Sequence, residues 1–185
     1  GTSHMVDDDI VSTRANADCL FSVADIERSM DRMASAITER LQHRNPLLLA
    51  VMNGGIVPAA MLLCRLAFPL QVDYIHLTRY GNKTTGGELE WIRPPPPTLN
   101  GRTVLVIDDL LDQGVTLQAA VDRCQANGAH EVLTAVLLVK SIPERIGLRE
   151  TDFFGISTPD RYVFGFGMDY KTYWRNCPGI FAVKE

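Results

Sequence analysis

The 185-residue chain lacks the features that mark several large classes of protein. It has no apolar run as long as a membrane-spanning helix needs, and no signal peptide is visible. Its formal net charge is −4, so neither a membrane nor nucleic acid is an expected partner. No GxGxxG pattern follows a predicted strand, which argues against a dinucleotide-binding enzyme. Repeats are absent, and the run of four prolines at 94–97 is the only low-complexity tract.

The cysteines are few and widely spaced. Cys19, Cys64, Cys124 and Cys177 form no CxxC pair and have no histidine-rich neighbourhood, so we expect neither a metal cluster nor a disulfide framework. Three of them lie in apolar contexts that are typical of small core residues. This usage predicts a reducing, cytoplasmic environment.

The length and the composition, 46% hydrophobic, predict one domain over 6–185. Residues 1–5 resemble a cloning scar, and 6–18 are expected to form a solvated arm. A helix is predicted from Ser22 onwards, because Ser22 and Asp25 form a capping-box pattern. Downstream, short apolar strands alternate with helical patterns, which predicts an α/β fold: a parallel twisted sheet flanked by helices.

The most informative stretch is 104–117, VLVIDDLLDQGVTL. Val104 to Ile107 read as a buried strand that ends at Asp108 and Asp109, and a predicted helix begins at Thr116. Backbone N–H groups at a helix N-terminus favour an anion such as phosphate. The carboxylates suit sugar hydroxyls, a divalent cation or a proton to be removed. A phosphorylated sugar satisfies both halves of this loop.

Other polar segments also follow predicted strands. Asn53-Gly54-Gly55 follows Leu47 to Val51, Arg79-Tyr80 follows Gln71 to Thr78, and Lys140 follows Val132 to Val139. Because ligands bind beyond the carboxyl ends of parallel strands, we expect these segments to meet the 108–116 loop at one edge.

Residues 79–100 contain glycines, Trp91 and the proline run, and they show no helical periodicity. A connection of this length is a lid over substrate or a tolerated surface insertion, and we favour the lid.

The 104–117 stretch resembles the phosphoribosyl pyrophosphate (PRPP) loop of the type I phosphoribosyltransferases. From Leu47 to Val183 the order of elements is similar to the 6-oxopurine branch, the hypoxanthine-guanine phosphoribosyltransferases. The 157–176 stretch, STPDRYVFGFGMDYKTYWRN, resembles the purine hood of that branch, so we expect a hood mainly over 153–185.

The resemblance implies Mg²⁺-dependent transfer of a phosphoribosyl group from PRPP to N9 of hypoxanthine or guanine. Asp112 would be the catalytic base, and the purine would meet Lys140, Tyr162, Val163 and Asp169. Arg79 and Tyr80 would belong to the lid. The phosphoribosyl group would bind Asp108, Asp109, Gln113, Gly114, Val115 and Thr116; pyrophosphate would bind Asn53, Gly54 and Arg175; and the metal would bind Asp108, Asp109 and Asp169.

Some roles stay open on the residues alone. Tyr162 is either a purine-stacking platform or a core aromatic, and Arg175 is either a pyrophosphate contact or a surface charge. Asn53, Arg79 and Gln113 depart from the usual pattern and resemble a bacterial subgroup. The resemblance also implies a homo-oligomer, a dimer or a tetramer. The rival functions are transfer to another base, such as xanthine, adenine or a pyrimidine, and a non-catalytic PRPP-sensing regulator.

Overall fold

The computed structural model describes residues 5–79 and 88–185, which form four helices and nine strands. None of the described helices is long and apolar enough to cross a membrane. In chain order the elements are α1 (Asp8–Asn16), β1 (Asp18–Phe21), α2 (Val23–Leu41), β2 (Leu47–Met52), α3 (Ile56–Leu63), β3 (Gln71–Arg79), β4 (Leu89–Arg93), β5 (Thr103–Leu111), α4 (Val115–Ala126), β6 (Glu131–Lys140), β7 (Phe153–Thr158), β8 (Val163–Phe164) and β9 (Ile180–Ala182).

The main sheet has six strands in the order β4-β3-β2-β5-β6-β7. All neighbours are parallel except β3 and β4, which are antiparallel. The predicted α/β class, with a mainly parallel sheet between helices, is therefore confirmed. The carboxyl ends of β2, β3, β5 and β6 lie along one edge, which brings the loops that follow them together.

Both faces of the central strands are buried, which explains their uninterrupted apolar sequences. Leu105 and Ile107 of β5 pack with Ile26, Met30 and other residues of α2 and α3. Val104 and Val106 face the opposite side, in a second cluster with Leu117, Ala120 and Cys124 of α4. The predicted capping box of α2 is also present, since the Asp25 backbone N–H donates to Ser22 Oγ at 3.2 Å and the Ser22 N–H to Asp25 Oδ2 at 2.9 Å.

A second, three-stranded antiparallel sheet, β1-β9-β8, joins the two ends of the chain. The predicted solvated arm over 6–18 is therefore wrong, because this segment forms α1 and the start of β1. Ile10 on α1 is only 4% exposed, in a cluster with Phe164 and Phe181. Long-range packing explains the difference, since the sequence 6–18 has little apolar periodicity of its own.

Two other boundaries differ from the prediction. The hood was expected mainly over 153–185, but β7 pairs with β6 in the main sheet, so the hood comprises the residues after β7 together with α1 and β1. Within the predicted lid over 79–100, residues 89–93 form the edge strand β4. Tyr80 and the rest of 80–87 lie outside the described residues.

Candidate active site

The loop between β5 and α4 forms one wall of a small cavity of about 120 Å³. Gly114 takes the left-handed conformation, φ 75° and ψ 10°, and α4 begins at the next residue. The backbone N–H groups of the first turn therefore face a concave surface, as an anion site requires. The lining comprises Arg79, Asp108, Leu110, Asp112 and residues 113–117.

A larger cavity of about 350 Å³ lies on the other side of Leu110 and Asp112, which line both cavities. Lys140 reaches it from the end of β6, while Tyr162 and Val163 reach it from the hood. One face is aromatic and the other is polar, which suits a flat heterocycle with polar edges. The complete lining is Asp109, Leu110, Asp112, Lys140, Tyr162, Val163, Met168 and Asp169.

Asp108 and Asp109 serve different cavities. The strand was predicted to end at Ile107, but β5 continues to Leu111, and Asp108 still lies opposite Val136 of β6. Successive side chains of an extended strand point to opposite sides, so Asp108 lines the small cavity and Asp109 the large one. The Asp109 backbone N–H donates to Asp108 Oδ1 at 2.8 Å and holds this arrangement.

Burial raises the pKa of both carboxyls. For Asp108 the pKa lies well above its ordinary value, because the group is desolvated and the charge of Asp109 is adjacent. For Asp109 desolvation also raises the pKa, although its hydrogen bond with Asp108 and the positive charge of Arg175 act in the opposite direction. Two adjacent half-buried carboxylates with raised pKa values favour any ligand that supplies positive charge or hydroxyl donors.

Lys140 and Asp112 form an ion pair between the two cavities. Lys140 Nζ lies 3.2 Å from Asp112 Oδ2 and 3.9 Å from Asp160 Oδ1. The lysine side chain is only 12% exposed, so its ammonium needs an acceptor, which this pairing supplies. A ligand that accepts from the ammonium and donates to the carboxylate would replace the ion pair without leaving either group unsatisfied.

The turn after β2 packs against the hood through Gly54. A Cβ at this position would lie 2.0 Å from Asp109 Oδ2, so any larger residue would have to displace the Asp109 carboxylate. Arg175 donates to the Gly167 carbonyl at 2.6 Å, and its Nη2 lies 3.5 Å from Asp169 Oδ1. These contacts bring four residues together where the turn after β2 meets the hood: Gly54, Asp109, Asp169 and Arg175. Asn53 is exposed and lines neither cavity.

The predicted metal ligands do not form one cluster. Within 5–79 and 88–185, no three histidine, cysteine or acidic side chains are grouped as a metal would require. Asp109 and Asp169 line the same cavity, whereas Asp108 lines the other. The structure therefore brings Asp109 and Asp169 together and leaves Asp108 apart, because successive side chains of β5 point to opposite sides.

Sequence reasoning missed the segment that holds the β5–α4 loop in place. Arg145 Nε donates to the Asp112 carbonyl at 2.8 Å, and its guanidinium also donates to the Lys140 carbonyl. The Gly147 N–H donates to the Gln113 carbonyl, and the Leu148 N–H to the Gly114 carbonyl, each at 2.9 Å. No short motif marks this contact, which depends on residues 33 or 34 positions apart.

A sheet whose carboxyl edge carries an anion-binding helix start beside a heterocycle-sized cavity is an arrangement that suits a transferase of the phosphoribosyl class. The sequence pattern of the phosphoribosyl transferase domain matches residues 19–171. The chain therefore belongs to the phosphoribosyltransferase family.

Curated relatives narrow the assignment further. The hypoxanthine-guanine phosphoribosyltransferase of Bacillus subtilis is 30% identical over 166 residues, which cover 89% of this chain and 92% of the relative. Within the family, this chain belongs to the hypoxanthine-guanine branch.

Solved structures agree in fold. A hypoxanthine-guanine phosphoribosyltransferase from Bacillus anthracis has a TM-score of 0.83 and 26% identity, covering 90% of this chain and 98% of that one. A hypoxanthine phosphoribosyltransferase from Staphylococcus aureus has a TM-score of 0.86, with coverage of 96% and 97%. At 24% identity, the second structure supports the fold alone.

Proposed function

We propose that this chain transfers the phosphoribosyl group of PRPP to N9 of hypoxanthine or guanine and releases pyrophosphate, a purine-salvage reaction. The observation that carries the proposal is that Leu110 and Asp112 line both cavities. A phosphoribosyl group in the small cavity and a purine in the large one would therefore meet beside Asp112. Holding two reactants in contact is a major part of catalysis for such a transfer.

The small cavity would hold the phosphoribosyl group. Its 5′-phosphate would accept hydrogen bonds from the backbone N–H groups of residues 113–116, where the positive end of the α4 dipole also attracts it. The Thr116 hydroxyl would donate a further bond. Asp108, which faces this cavity, would accept hydrogen bonds from the ribose hydroxyls.

The large cavity would hold the purine. Tyr162 would stack on its face, and the Val163 backbone would contact its edge. Lys140 would donate to the 6-oxygen, which distinguishes a 6-oxopurine from adenine, whose 6-amino group would oppose the ammonium. Asp112 would accept the N7 proton, which becomes more acidic as N9 bonds to the ribose.

Asp109 and Asp169 fit a magnesium ion bound together with pyrophosphate. Their carboxylates line the same cavity, and Mg²⁺ commonly uses one or two carboxylates together with substrate phosphate oxygens. Such an ion would neutralise the leaving pyrophosphate. Arg175, beside Gly54 and Asp169, would contact the same oxygens from the hood. Arg79, which lines the small cavity, and Tyr80 would form part of a lid that excludes water.

We also propose that the chain is cytoplasmic and forms a homodimer or tetramer. All four cysteines are free, which suits a reducing compartment.

Ile56, Val72 and Tyr74 are large exposed apolar residues around one groove of about 400 Å³ between α3 and β3. A second copy covering this groove would remove them from water. Sedimentation of the wild type and of Val72→Lys tests this, since the variant should shift towards monomer; an unchanged distribution would exclude this surface.

Nucleotide formation from different bases tests the function. The protein would be incubated with PRPP, Mg²⁺ and, in separate reactions, hypoxanthine, guanine, xanthine, adenine and uracil. We expect IMP and GMP but no AMP, because Lys140 requires an acceptor at the purine 6-position. Failure to form nucleotide from hypoxanthine and guanine would overturn the proposal.

A further inference from the structure

We propose that helix α1 positions the purine-stacking ring of Tyr162, acting through Asp9 and Tyr170. The inference rests on the proposed function, in which Tyr162 stacks on the purine. It makes Asp9 and Tyr170 positioning residues for purine binding, although neither lines the cavity that the purine would occupy.

The first contact in this arrangement joins two aromatic rings. The rings of Tyr162 and Tyr170 are 5.5 Å apart between centroids, with an interplanar angle of 64°. Tyr162 is 52% exposed, whereas Tyr170 is only 8% exposed. Tyr162 therefore packs edge-on against a buried ring and has an open side, so a displacement of the Tyr170 ring would change its orientation.

The second contact holds the ring of Tyr170. Its hydroxyl donates to Asp9 Oδ2 on α1 at 2.8 Å. Lys171 Nζ donates to the same oxygen, also at 2.8 Å. These two hydrogen bonds lower the pKa of Asp9 below its ordinary value, so the carboxylate stays ionised at neutral pH and remains a strong acceptor.

The segment after Tyr170 has an unusual backbone conformation and contacts α1. Lys171, Thr172 and Trp174 all have positive φ values of 47°, 74° and 69°. Residues other than glycine adopt this conformation infrequently, and it persists where surrounding contacts fix it. Trp174 Nε1 donates to the Ile10 carbonyl of α1 at 2.8 Å, so α1 contacts the segment at both ends.

The supported turn also lies between two residues of the site. Asp169 precedes it and Arg175 follows it, and the Thr172 N–H donates to Asp169 Oδ2 at 2.8 Å. Helix α1 has nine residues, too few to be stable alone in water. The helix and the turn therefore stabilise each other, and the N-terminal segment is part of the purine side of the site.

The chain offers a graded set of variants. Asp9→Ala removes the acceptor, Asp9→Asn keeps an oxygen acceptor, and Tyr170→Phe keeps the ring but loses the hydroxyl. Asp8→Ala is the matched control, because Asp8 lies in the same exposed first turn and makes no side-chain hydrogen bond to the described part of the hood.

The test measures KM for hypoxanthine and for PRPP separately, together with kcat. Loss of one hydrogen bond that holds the ring should raise KM for hypoxanthine about threefold to tenfold in Asp9→Ala and Tyr170→Phe. KM for PRPP should stay within twofold, Asp9→Asn should recover most of the loss, and Asp8→Ala should match the wild type. Equal rises in both KM values, or none, would overturn the proposal.

A second measurement does not depend on catalysis. NMR spectra of ligand-free protein labelled at the tyrosine rings, with the Tyr162 signal assigned by Tyr162→Phe, report the ring's surroundings directly. We expect the Tyr162 signal to shift in Asp9→Ala but not in Asp8→Ala. An unmoved signal would overturn the positioning role even in an active enzyme. If the Tyr162 signal shifts in Asp9→Ala as expected but the wild type forms no nucleotide, the proposed function is overturned instead.

Discussion

The two halves of the site are built in different ways. The phosphoribosyl half comes mainly from one continuous stretch, 108–117. In this stretch, backbone N–H groups at the start of a helix would make most of the contacts with the phosphate. The purine half combines Lys140 from β6 with Tyr162, Val163 and Asp169 from the hood. The hood in turn depends on α1, more than 150 positions earlier in the chain. One continuous motif supplies most residues of the first half, whereas long-range packing brings together the residues of the second.

The largest expected effect lies where the halves meet. Asp112→Asn keeps the shape of the loop but removes the carboxylate that would accept the N7 proton, so kcat should fall by about 10²–10⁴. PRPP should still bind, because its expected contacts are backbone N–H groups and Asp108. Steady-state kinetics measure kcat, and calorimetric titration measures the affinity for PRPP. Near-normal turnover would remove Asp112 from the role of base.

A substitution that displaces the backbone of the β5–α4 loop should weaken PRPP binding selectively. At Gly114 an added Cβ would lie 2.3 Å from the Leu148 carbonyl oxygen, at a residue with φ of 75°. Gly114→Ala should therefore displace the 113–116 N–H groups and destabilise the fold by about 1–3 kcal/mol. Denaturant unfolding gives the free energy, and titration gives the loss of PRPP affinity. Gly101→Ala, which also has positive φ but open space around it, is the matched control.

Removal of the Tyr162 side chain should weaken purine binding alone. Tyr162→Ala removes the stacking surface, so KM for hypoxanthine should rise roughly tenfold or more, since stacking on an aromatic ring contributes about 1–3 kcal/mol per base. Tyr162→Phe keeps the ring and serves as the control. An unchanged KM for hypoxanthine in Tyr162→Ala would assign Tyr162 to the hood core instead.

The smallest effect concerns stability. The raised pKa of Asp108 means that its folded form holds a proton more tightly than the unfolded chain. Its contribution to stability is therefore present below the ordinary pKa of 3.8 and is lost as pH rises through the folded pKa. Asp108→Asn should be more stable than the wild type at neutral pH, with a Tm higher by roughly 2–4 °C. A scan of Tm against pH should show the difference shrinking towards acid. A lower Tm at pH 7 would contradict the account.

The contrast between local sequence patterns and long-range packing explains which features the sequence could predict. The apolar strands, the capping box of Ser22 and Asp25 and the 108–116 loop are local patterns, and each appears where expected. The continuation of β5 to Leu111 was missed, because the acidic pair suggests a strand end while pairing with β6 continues.

Contacts between distant segments left no local signal. The Asp9–Tyr170 hydrogen bond joins residues 161 positions apart, and Arg145 reaches the Asp112 carbonyl across 33. The segment 6–18 has only one buried residue in its helix, so its sequence resembles a solvated arm. Its structure is decided by the hood against which it packs.

Separate KM values for PRPP and hypoxanthine, measured for Thr116→Ala and Tyr162→Ala side by side, test the division of the site most directly. We predict that Thr116→Ala raises KM for PRPP and leaves that for hypoxanthine within about twofold, and that Tyr162→Ala does the reverse. If each variant raised both KM values by the same factor, the two cavities would not bind separate parts of the substrates, and the account would be wrong.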